Sequence, residues 1–134
     1  MTRTITDHQV NPANDKLTIT VLDEPADGGA NHVYEISGHD EEGHPFFAGK
    51  DDPRWQNQRL VVFQQGPIGE VGVNGVTHEA LLAVLIDRMR AFQAGPYACT
   101  ENDAALRALE DAQYWLLSRT RARMARGVEG THQK

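Results

Sequence analysis

Alternation of apolar and polar residues in the first half of the chain predicts β-strands. Residues 16–23 and 32–37 alternate with a period of two and are rich in β-branched side chains, as half-buried strands are. Turn-forming residues 27–31 lie between them, so the two strands are expected to pair as a hairpin. Residues 59–65 have the strongest strand pattern, and residues 45–48 are expected to form a short edge strand.

The second half has the three- and four-residue apolar spacing of helices. Thr77 is a predicted N-cap, and the helix that follows is expected to stop at the Gly-Pro pair at positions 95–96. Its apolar residues are Leu81, Leu82, Leu85, Met89 and Phe92. A second helix is predicted over about residues 101–126, a length of roughly 39 Å at 1.5 Å per residue. Thr100 and Asp103 resemble a capping box at its start.

These elements predict an α+β fold, with an N-terminal antiparallel β-sheet followed by a C-terminal antiparallel two-helix hairpin. The 134 residues are assigned to a single domain, with a β-rich part over residues 1–75 and the hairpin and tail over residues 76–134. The tail, residues 128–134, is expected to be loosely ordered unless a ligand or a partner holds it.

The second predicted helix is apolar around much of its circumference. One stripe consists of Ala105, Leu109, Ala112 and Leu116, and further apolar residues lie off it: Leu106, Leu117 and Met124. A helix of this kind must be covered on more than one side, so we expect the sheet to cover one face and another copy of the chain to cover the rest. Trp115 lies between the two sets and, by identity alone, fits the core of one protomer at least as well as an interface.

Charge is distributed unevenly along a chain whose net charge is −6. Residues 1–75 contain 12 acidic and 5 basic side chains, whereas residues 76–134 contain 7 acidic and 8 basic ones. Four arginines and no acid lie between Tyr114 and Arg126. A locally positive surface on an acidic protein suits a small anion better than a long polyanion, so we expect no nucleic-acid polymer as a partner.

The cysteine content and the hydropathy of the sequence indicate the cellular compartment in which the protein is expected to act. Cys99 is the single cysteine, which excludes an internal disulfide and fits a reducing cytosol. The first residues contain no apolar signal region, and the apolar stretches are too short to cross a bilayer. We therefore expect a cytoplasmic protein that makes no contact with a membrane.

Arg119, Arg123 and Arg126 form the first candidate site. Spacings of four and three place them on one helical face, while Arg121 points elsewhere. Guanidinium groups match phosphate oxygens in a bidentate geometry and stay charged at any relevant pH. The alternative is a solvated basic helix end that complements the helix dipole.

Phe92, Gln93 and Asn102 flank the predicted connection between the helices and form the second candidate site. A ring at a helix end beside amide side chains would stack a purine, and Asn102 would bond its polar edge. The alternative assigns Phe92 to the core and makes Asn102 a helix-start cap.

Catalytic and metal-binding patterns are weak. His39, Asp40, Glu41, Glu42 and His44 carry zinc-binding side chains, but a solvated polar loop explains them better because no matching ligand motif occurs elsewhere. The sequence contains no glycine fingerprint of a phosphate-binding loop and no zinc-protease or serine-hydrolase motif. We therefore expect no catalytic residue, no metal and no cofactor.

A run of motifs in the second half resembles the first-described family of phage Thoeris anti-defence proteins. The motifs include FQQGPI at 63–68, VGVNGVT at 71–77 and IDRMRAFQAGPY at 86–97. Shorter matches continue at residues 101–102, 104–106, 115–116, 119–120 and 126–132. The resemblance covers about half of the chain. That family shares its helical hairpin with the cyclic-oligonucleotide sponges that phages use against CBASS immunity.

The resemblance implies a homodimer or a hexamer built as a trimer of dimers, acting in the host cytoplasm. Such a protein holds cyclic ADP-ribose isomers without cleaving them, and some members also bind cyclic di- or trinucleotides. Carried onto this chain, Phe92 would stack adenine beside Asn102, and Arg119 and Arg123 would bind the diphosphate. Gln93, Thr100 and Arg126 are further candidates for ligand contact.

This chain departs from the family pattern at one position that bears on function. Thr100 stands where the family usually has Arg in a Cys-Arg-Glu-Asn run, which weakens the expectation of a second, cyclic-oligonucleotide activity if that arginine holds such ligands. Two other interpretations stay open. One is an oligomeric phage protein whose basic helix face contacts a protein partner. The other is a cyclic-nucleotide hydrolase, which would need a general base or a metal near the arginines.

Overall fold

The structure is a computed structural model that describes residues 2–11, 16–39, 45–56 and 59–131. The chain divides into two compact units, Met1–Gln65 and Gly66–Lys134, which we call the β-unit and the hairpin unit. The strands lie in the first and the long helices in the second, so the predicted α+β fold is confirmed. The division falls ten residues before the predicted boundary at residue 75, and the assignment to a single domain stays a prediction.

The β-unit contains a four-stranded antiparallel sheet in which each strand pairs with the next one along the chain. Ile19 lies opposite Ile36, and Tyr34 lies opposite Val61. Val21 is fully buried and forms the centre of this small unit. The strands are β1 (Arg3–Ile5), β2 (Thr18–Val21), β3 (Val33–Ser37) and β4 (Leu60–Val62). The pairing of the two strands around residues 27–31 is confirmed, whereas β1 was not predicted.

Asp23 closes the connection between β2 and β3. Its carboxylate accepts hydrogen bonds from the backbone N–H groups of His32, at 2.8 Å, and Val33, at 3.0 Å. Burial on its own would raise the pKa of this carboxyl, but the N–H groups of Val33 and His32 outweigh that effect and lower the pKa. The side chain of Asp23, which is not in a strand, therefore helps to fix the register in which β2 pairs with β3.

Residues 45–48 form turns and bends, so the predicted edge strand is wrong. The Ala48 N–H donates to Asp52 Oδ2 at 2.9 Å, and Arg54 Nη2 donates to the same oxygen at 2.7 Å. The guanidinium of Arg54 also lies 4.6 Å from the centroid of the Phe46 ring. Asp52, paired with Arg54, thus accepts the Ala48 N–H, which in an edge strand would bond to the neighbouring strand. Hydrophobic periodicity contains no signal for such a local ion pair.

Asp52 is almost buried, with 7% of its surface exposed. The side chain of Arg54 lowers the pKa of Asp52 most strongly, and the backbone N–H groups of Ala48 and Arg54 add to this effect. The pKa of Asp52 consequently lies well below its usual range.

Two long helices dominate the hairpin unit, and they are antiparallel neighbours as predicted. Gln113 Nε2 on one donates to the Glu79 carbonyl on the other at 3.2 Å, and Arg90 pairs with Glu110 at 2.8 Å. The helices of the whole described chain are α1 (Pro53–Gln56), α2 (Ile68–Val71), α3 (His78–Gln93) and α4 (Thr100–Ala125). The short helices α1 and α2 were not predicted.

The start of α3 agrees with the sequence, whereas the start of α4 differs from it. Thr77 Oγ1 accepts the Ala80 N–H at 3.1 Å, as an N-cap does. The N-cap of α4 is Cys99, which has an extended backbone and whose Sγ accepts the Asn102 N–H at 3.5 Å. Thr100 is therefore the first helical residue, and the predicted capping box with Asp103 is wrong.

Residues 128–131, which we call the strap, fold back beside the end of α4. Gly127 and Gly130 adopt positive φ angles of 72° and 80°, which a residue with a side chain rarely adopts. Val128 is buried, and the Gly69 N–H donates to the Gly130 carbonyl at 3.1 Å. The expectation of a loosely ordered tail is wrong for these four residues, and residues 132–134 lie outside the described chain.

A set of large apolar side chains on α4 is exposed. Trp115 is 68% exposed, Tyr114 is 59% exposed and Met124 is 64% exposed. The rings of Tyr114 and Trp115 meet edge to face at 5.2 Å. Trp115 therefore does not contribute to the interior of the hairpin unit, in which this part of α4 carries exposed apolar surface.

Candidate functional site

The end of α3 and the turn after it form an open cleft of about 330 Å³, which we call the hairpin cleft. Phe92 forms one wall and is 39% exposed, and the Tyr97 ring meets it at a centroid distance of 6.4 Å and an interplanar angle of 68°. The guanidinium carbon of Arg88 lies 5.5 Å from the centroid of the Phe92 ring. The full lining consists of Asp87, Arg88, Ala91, Phe92, Gly95, Pro96 and Tyr97.

Local sequence explains why these residues meet. Arg88 precedes Phe92 by four positions, so the two side chains lie on the same face of α3. The Gly-Pro pair at positions 95–96 ends the helix and turns the chain, which brings Tyr97 back to the Phe92 ring. Phe92 was predicted from the sequence, whereas Asp87, Arg88 and Tyr97 were missed. The spacing of four between Arg88 and Phe92 was the signal that could have found the arginine.

Gln93 and Asn102 brace the turn in this conformation. The amide of Gln93 donates to the Cys99 carbonyl at 3.2 Å and accepts the Cys99 N–H at 3.1 Å. Asn102 Nδ2 donates to the Tyr97 carbonyl at 3.3 Å. Both amides therefore hold the wall of the hairpin cleft in place, and Thr100 is exposed at the start of α4.

Arg123 is committed to the strap. Its Nε donates to Glu129 Oε2 at 3.0 Å, and its Nη2 donates to the Val128 carbonyl at 2.9 Å and to the Thr131 carbonyl at 3.1 Å. The side chain of Arg123 is 18% exposed, compared with 42% for Glu129. The carboxylate of Glu129 therefore occupies part of the guanidinium fork that a phosphate would use.

The other two predicted arginines lie in the same region. Arg119 is exposed, one helical turn before Arg123 on α4. Arg126 is the C-cap of α4, and its N–H donates to the Ala122 and Arg123 carbonyls. The helix thus ends one residue earlier than predicted. Arg119, Arg123 and Arg126 remain together at the C-terminal end of α4.

One protomer does not bring the two candidate groups together. Asn102 and Arg119 both lie on α4 and are 17 positions apart, which corresponds to roughly 26 Å along the helix axis. Phe92 and Asn102 therefore lie at the turn end of the hairpin, whereas the arginines lie at the opposite end of α4.

The part of the chain that the structure covers contains no group of three or more histidine, cysteine, aspartate or glutamate side chains placed to hold a metal ion. The candidate metal site fell mainly on residues 40–44, which lie outside the described residues. No helix among the described residues has both the length and the apolar character to span a bilayer.

The hairpin unit defines the class of protein that this chain resembles. The sequence profile of the Acb2/Tad1 hairpin domain matches residues 57–121, a segment that includes α3 and most of α4. The chain is also 50% identical over 74 residues to Thoeris anti-defense 1 of Bacillus phage SBSphiJ7. These 74 residues are 55% of this chain and 52% of that protein. The resemblance to the Thoeris anti-defence family is thereby confirmed, and the chain spans about half the length of the curated relative that it matches.

Proposed function

We propose that this chain is a phage anti-defence protein that binds cyclic ADP-ribose-type immune signals in the infected cell and holds them without cleaving them. The observation that carries the proposal is the match of residues 57–121 to the Acb2/Tad1 hairpin domain. Phe92, Asn102 and Arg119 lie within that segment, and Arg123 lies two residues beyond it. Three of these four candidate residues thus lie in the part of the chain that links it to anti-defence proteins.

The chemistry of the two residue groups fits the two halves of such a ligand. The Phe92 ring in the hairpin cleft offers a stacking face for a base, and stacking tolerates any flat ring. Arg119 offers an exposed guanidinium group for a diphosphate, and Arg123 would have to exchange its bond to Glu129 for one to the ligand. All of these interactions are binding interactions, and none of the assigned roles requires a proton transfer or a nucleophile.

The separation along α4 supports a site shared between copies of the chain. A cyclic nucleotide with one base and one diphosphate is far shorter than the roughly 26 Å between Asn102 and Arg119. The hairpin cleft of one copy and the arginines of another would supply both halves of the site. The exposed apolar side chains of α4, including Trp115 and Met124, offer surface for the association of copies as a dimer or as a trimer of dimers.

Sequestration also favours an enclosed site. Keeping a signal below the threshold of its effector calls for nanomolar affinity, which corresponds to about 12 kcal/mol. One stacked base and two arginine contacts on an open surface do not reach that value once the cost of ordering the ligand is subtracted. A pocket closed between subunits lowers that cost and strengthens each charge contact.

Titration calorimetry with cyclic ADP-ribose isomers tests the proposal. We expect tight binding, and chromatography of the ligand released by heat should show it unchanged. Arg119→Ala and Phe92→Ala should each weaken binding about tenfold or more, because a charge-assisted contact or a stacked base is lost. Arg121→Ala, on another face of α4, serves as the matched control. An altered ligand would indicate a hydrolase, and an absence of binding would favour a protein partner.

Mixed oligomers test whether the site is shared. In a randomly mixed dimer population of Phe92→Ala and Arg119→Ala chains, half of the dimers contain one of each chain. Each of these dimers would have one intact composite site, so about one quarter of all sites should recover full affinity. No recovery after confirmed mixing would contradict a site built from two copies.

The same proposal makes cyclic oligonucleotides weaker candidates. Thr100 is exposed at the start of α4 and offers a hydroxyl where the family usually presents an arginine. Thr100→Arg would restore that charge. If cyclic oligonucleotides are ligands of this surface, the variant should bind them more tightly than the parent does.

A further inference from the structure

The hairpin cleft contains two charged residues for which the proposed function has no role. Asp87 and Arg88 are consecutive on α3, and both line the cleft beside the Phe92 ring. We propose that the hairpin cleft selects a base bearing an exocyclic amino group, with Arg88 stacking on the second face of that base and Asp87 accepting from the amino group. This inference rests on the proposed function, because it names the part of the ligand that enters the cleft.

Arg88 is already placed over the face of the Phe92 ring. Its guanidinium carbon is 5.5 Å from the ring centroid, whereas a base between two stacked planes needs roughly 7 Å, about 3.5 Å on each side. Arg88 would therefore have to withdraw by roughly 1.5 Å to admit a base. Its side chain is long and exposed, so this movement meets little resistance. The planar guanidinium would then lie against the second face of the base.

The charges of the cleft distinguish a base from a phosphate. The carboxylate of Asp87 balances the guanidinium of Arg88, so the lining has no net positive charge. An anion gains little from such a lining, whereas a neutral flat ring gains two stacking faces. The cleft also differs in this respect from the other end of α4, which has three arginines, one of which, Arg123, pairs with Glu129.

Asp87 provides a basis for discrimination between bases. An ionised carboxylate only accepts hydrogen bonds. Adenine presents an amino group at its six position, whereas hypoxanthine presents a carbonyl oxygen there, which a carboxylate repels. An asparagine at position 87 would donate as well as accept, and would accommodate either base.

Parallel titrations test both roles. The probes are an adenine-containing cyclic ADP-ribose isomer and its hypoxanthine counterpart, measured by calorimetry. We expect Arg88→Ala to weaken binding of the adenine ligand about tenfold, and Arg88→Lys to recover little because a lysine lacks a planar face. We expect the parent to prefer adenine about tenfold, and Asp87→Asn to abolish that preference while it keeps adenine affinity within about threefold. Arg121→Ala and Asp111→Asn are matched controls on α4.

The outcomes separate this inference from the proposed function. Parent-like affinity in Arg88→Ala, or an intact preference for adenine in Asp87→Asn, would overturn it even if the parent binds the cyclic ligand. If the parent binds no cyclic ligand, the proposed function fails, and the cleft is then probed with adenosine and inosine monophosphate by NMR. Shifts at the Phe92 and Tyr97 ring protons that are larger with the adenine compound, and equal in Asp87→Asn, would still support the inference. Equal shifts in the parent would refute it.

Discussion

Replacing Arg123 by lysine separates the charge of this residue from its hydrogen-bonding geometry. Lysine keeps the positive charge, but its single ammonium group does not reproduce the three bonds that Arg123 makes to Glu129, Val128 and Thr131 at 3.0, 2.9 and 3.1 Å. The lysine side chain also ends one bond short of the outer guanidinium nitrogen and lacks Nε–H, so we expect it to keep one of the three bonds and to lose two. The strap should therefore detach from α4 more often, while the rest of the hairpin stays folded.

The expected cost follows from the two lost hydrogen bonds. Each net hydrogen bond contributes about 0.5–1.5 kcal/mol, so two contribute about 1–3 kcal/mol. Glu129 is 42% exposed, and solvent screening reduces the part that comes from the ion pair. We therefore expect local opening of the strap to become easier by about 1–2 kcal/mol, which corresponds to roughly a five- to thirtyfold larger open population.

Amide hydrogen exchange measures this opening directly. The Gly69 N–H donates to the Gly130 carbonyl, and the Val128 N–H donates to the Arg123 carbonyl. Protection of these two amides should fall about five- to thirtyfold in Arg123→Lys. Arg121→Lys is the matched control and should leave both amides unchanged. Unchanged protection in Arg123→Lys would refute the reasoning, because the burial of Val128 and the backbone bonds would then hold the strap without the guanidinium.

Two further changes test the local structure of each unit. Thr77→Ala removes the oxygen that caps α3 and should lower the free energy of unfolding by about 1 kcal/mol in a urea titration, whereas Thr77→Ser should not. The lowered pKa of Asp52, caused chiefly by Arg54, stabilises the fold above the ordinary aspartate value of 3.8, and this contribution is lost as the pH falls below that value. Urea unfolding from roughly pH 5 to pH 2 should therefore show a smaller acid-induced loss of stability in Asp52→Asn than in the parent, and equal slopes would contradict this assignment.

The periodicity of apolar residues predicted the strands and helices that bury one regular face. It missed the segments whose conformation depends on hydrogen bonds from individual side chains. The pairing of β2 with β3 and the two long helices were predicted because their apolar residues repeat over several turns or pleats. The turn at residues 45–48 depends on Asp52 and Arg54, and the strap depends on Arg123 and Glu129. These contacts join residues by hydrogen bonds that leave no repeat in the sequence.

The roles of the candidate site residues stay predictions, and the structure bears only on where these residues lie. Phe92 and the arginines have recognisable side chains, so their chemistry could be read from the sequence and from the family resemblance. The predicted length of the second helix already implied that Asn102 and Arg119 lie far apart, and in the structure they are roughly 26 Å apart along the helix axis. Arg88 was missed because a charged residue on an exposed helix face is common, and only the 5.5 Å approach to Phe92 distinguishes it.

The distance between the two ends of α4 also determines how the ligand-binding capacity would depend on the concentration of the protein. If each complete site needs the cleft of one copy and the arginines of another, isolated chains have no complete site, and binding capacity depends on association. Below the dissociation constant of the dimer, the number of complete sites would rise with the square of the protein concentration. Ligand would in turn favour the associated form by mass action. A twofold change in expression would then change the captured signal about fourfold in that range.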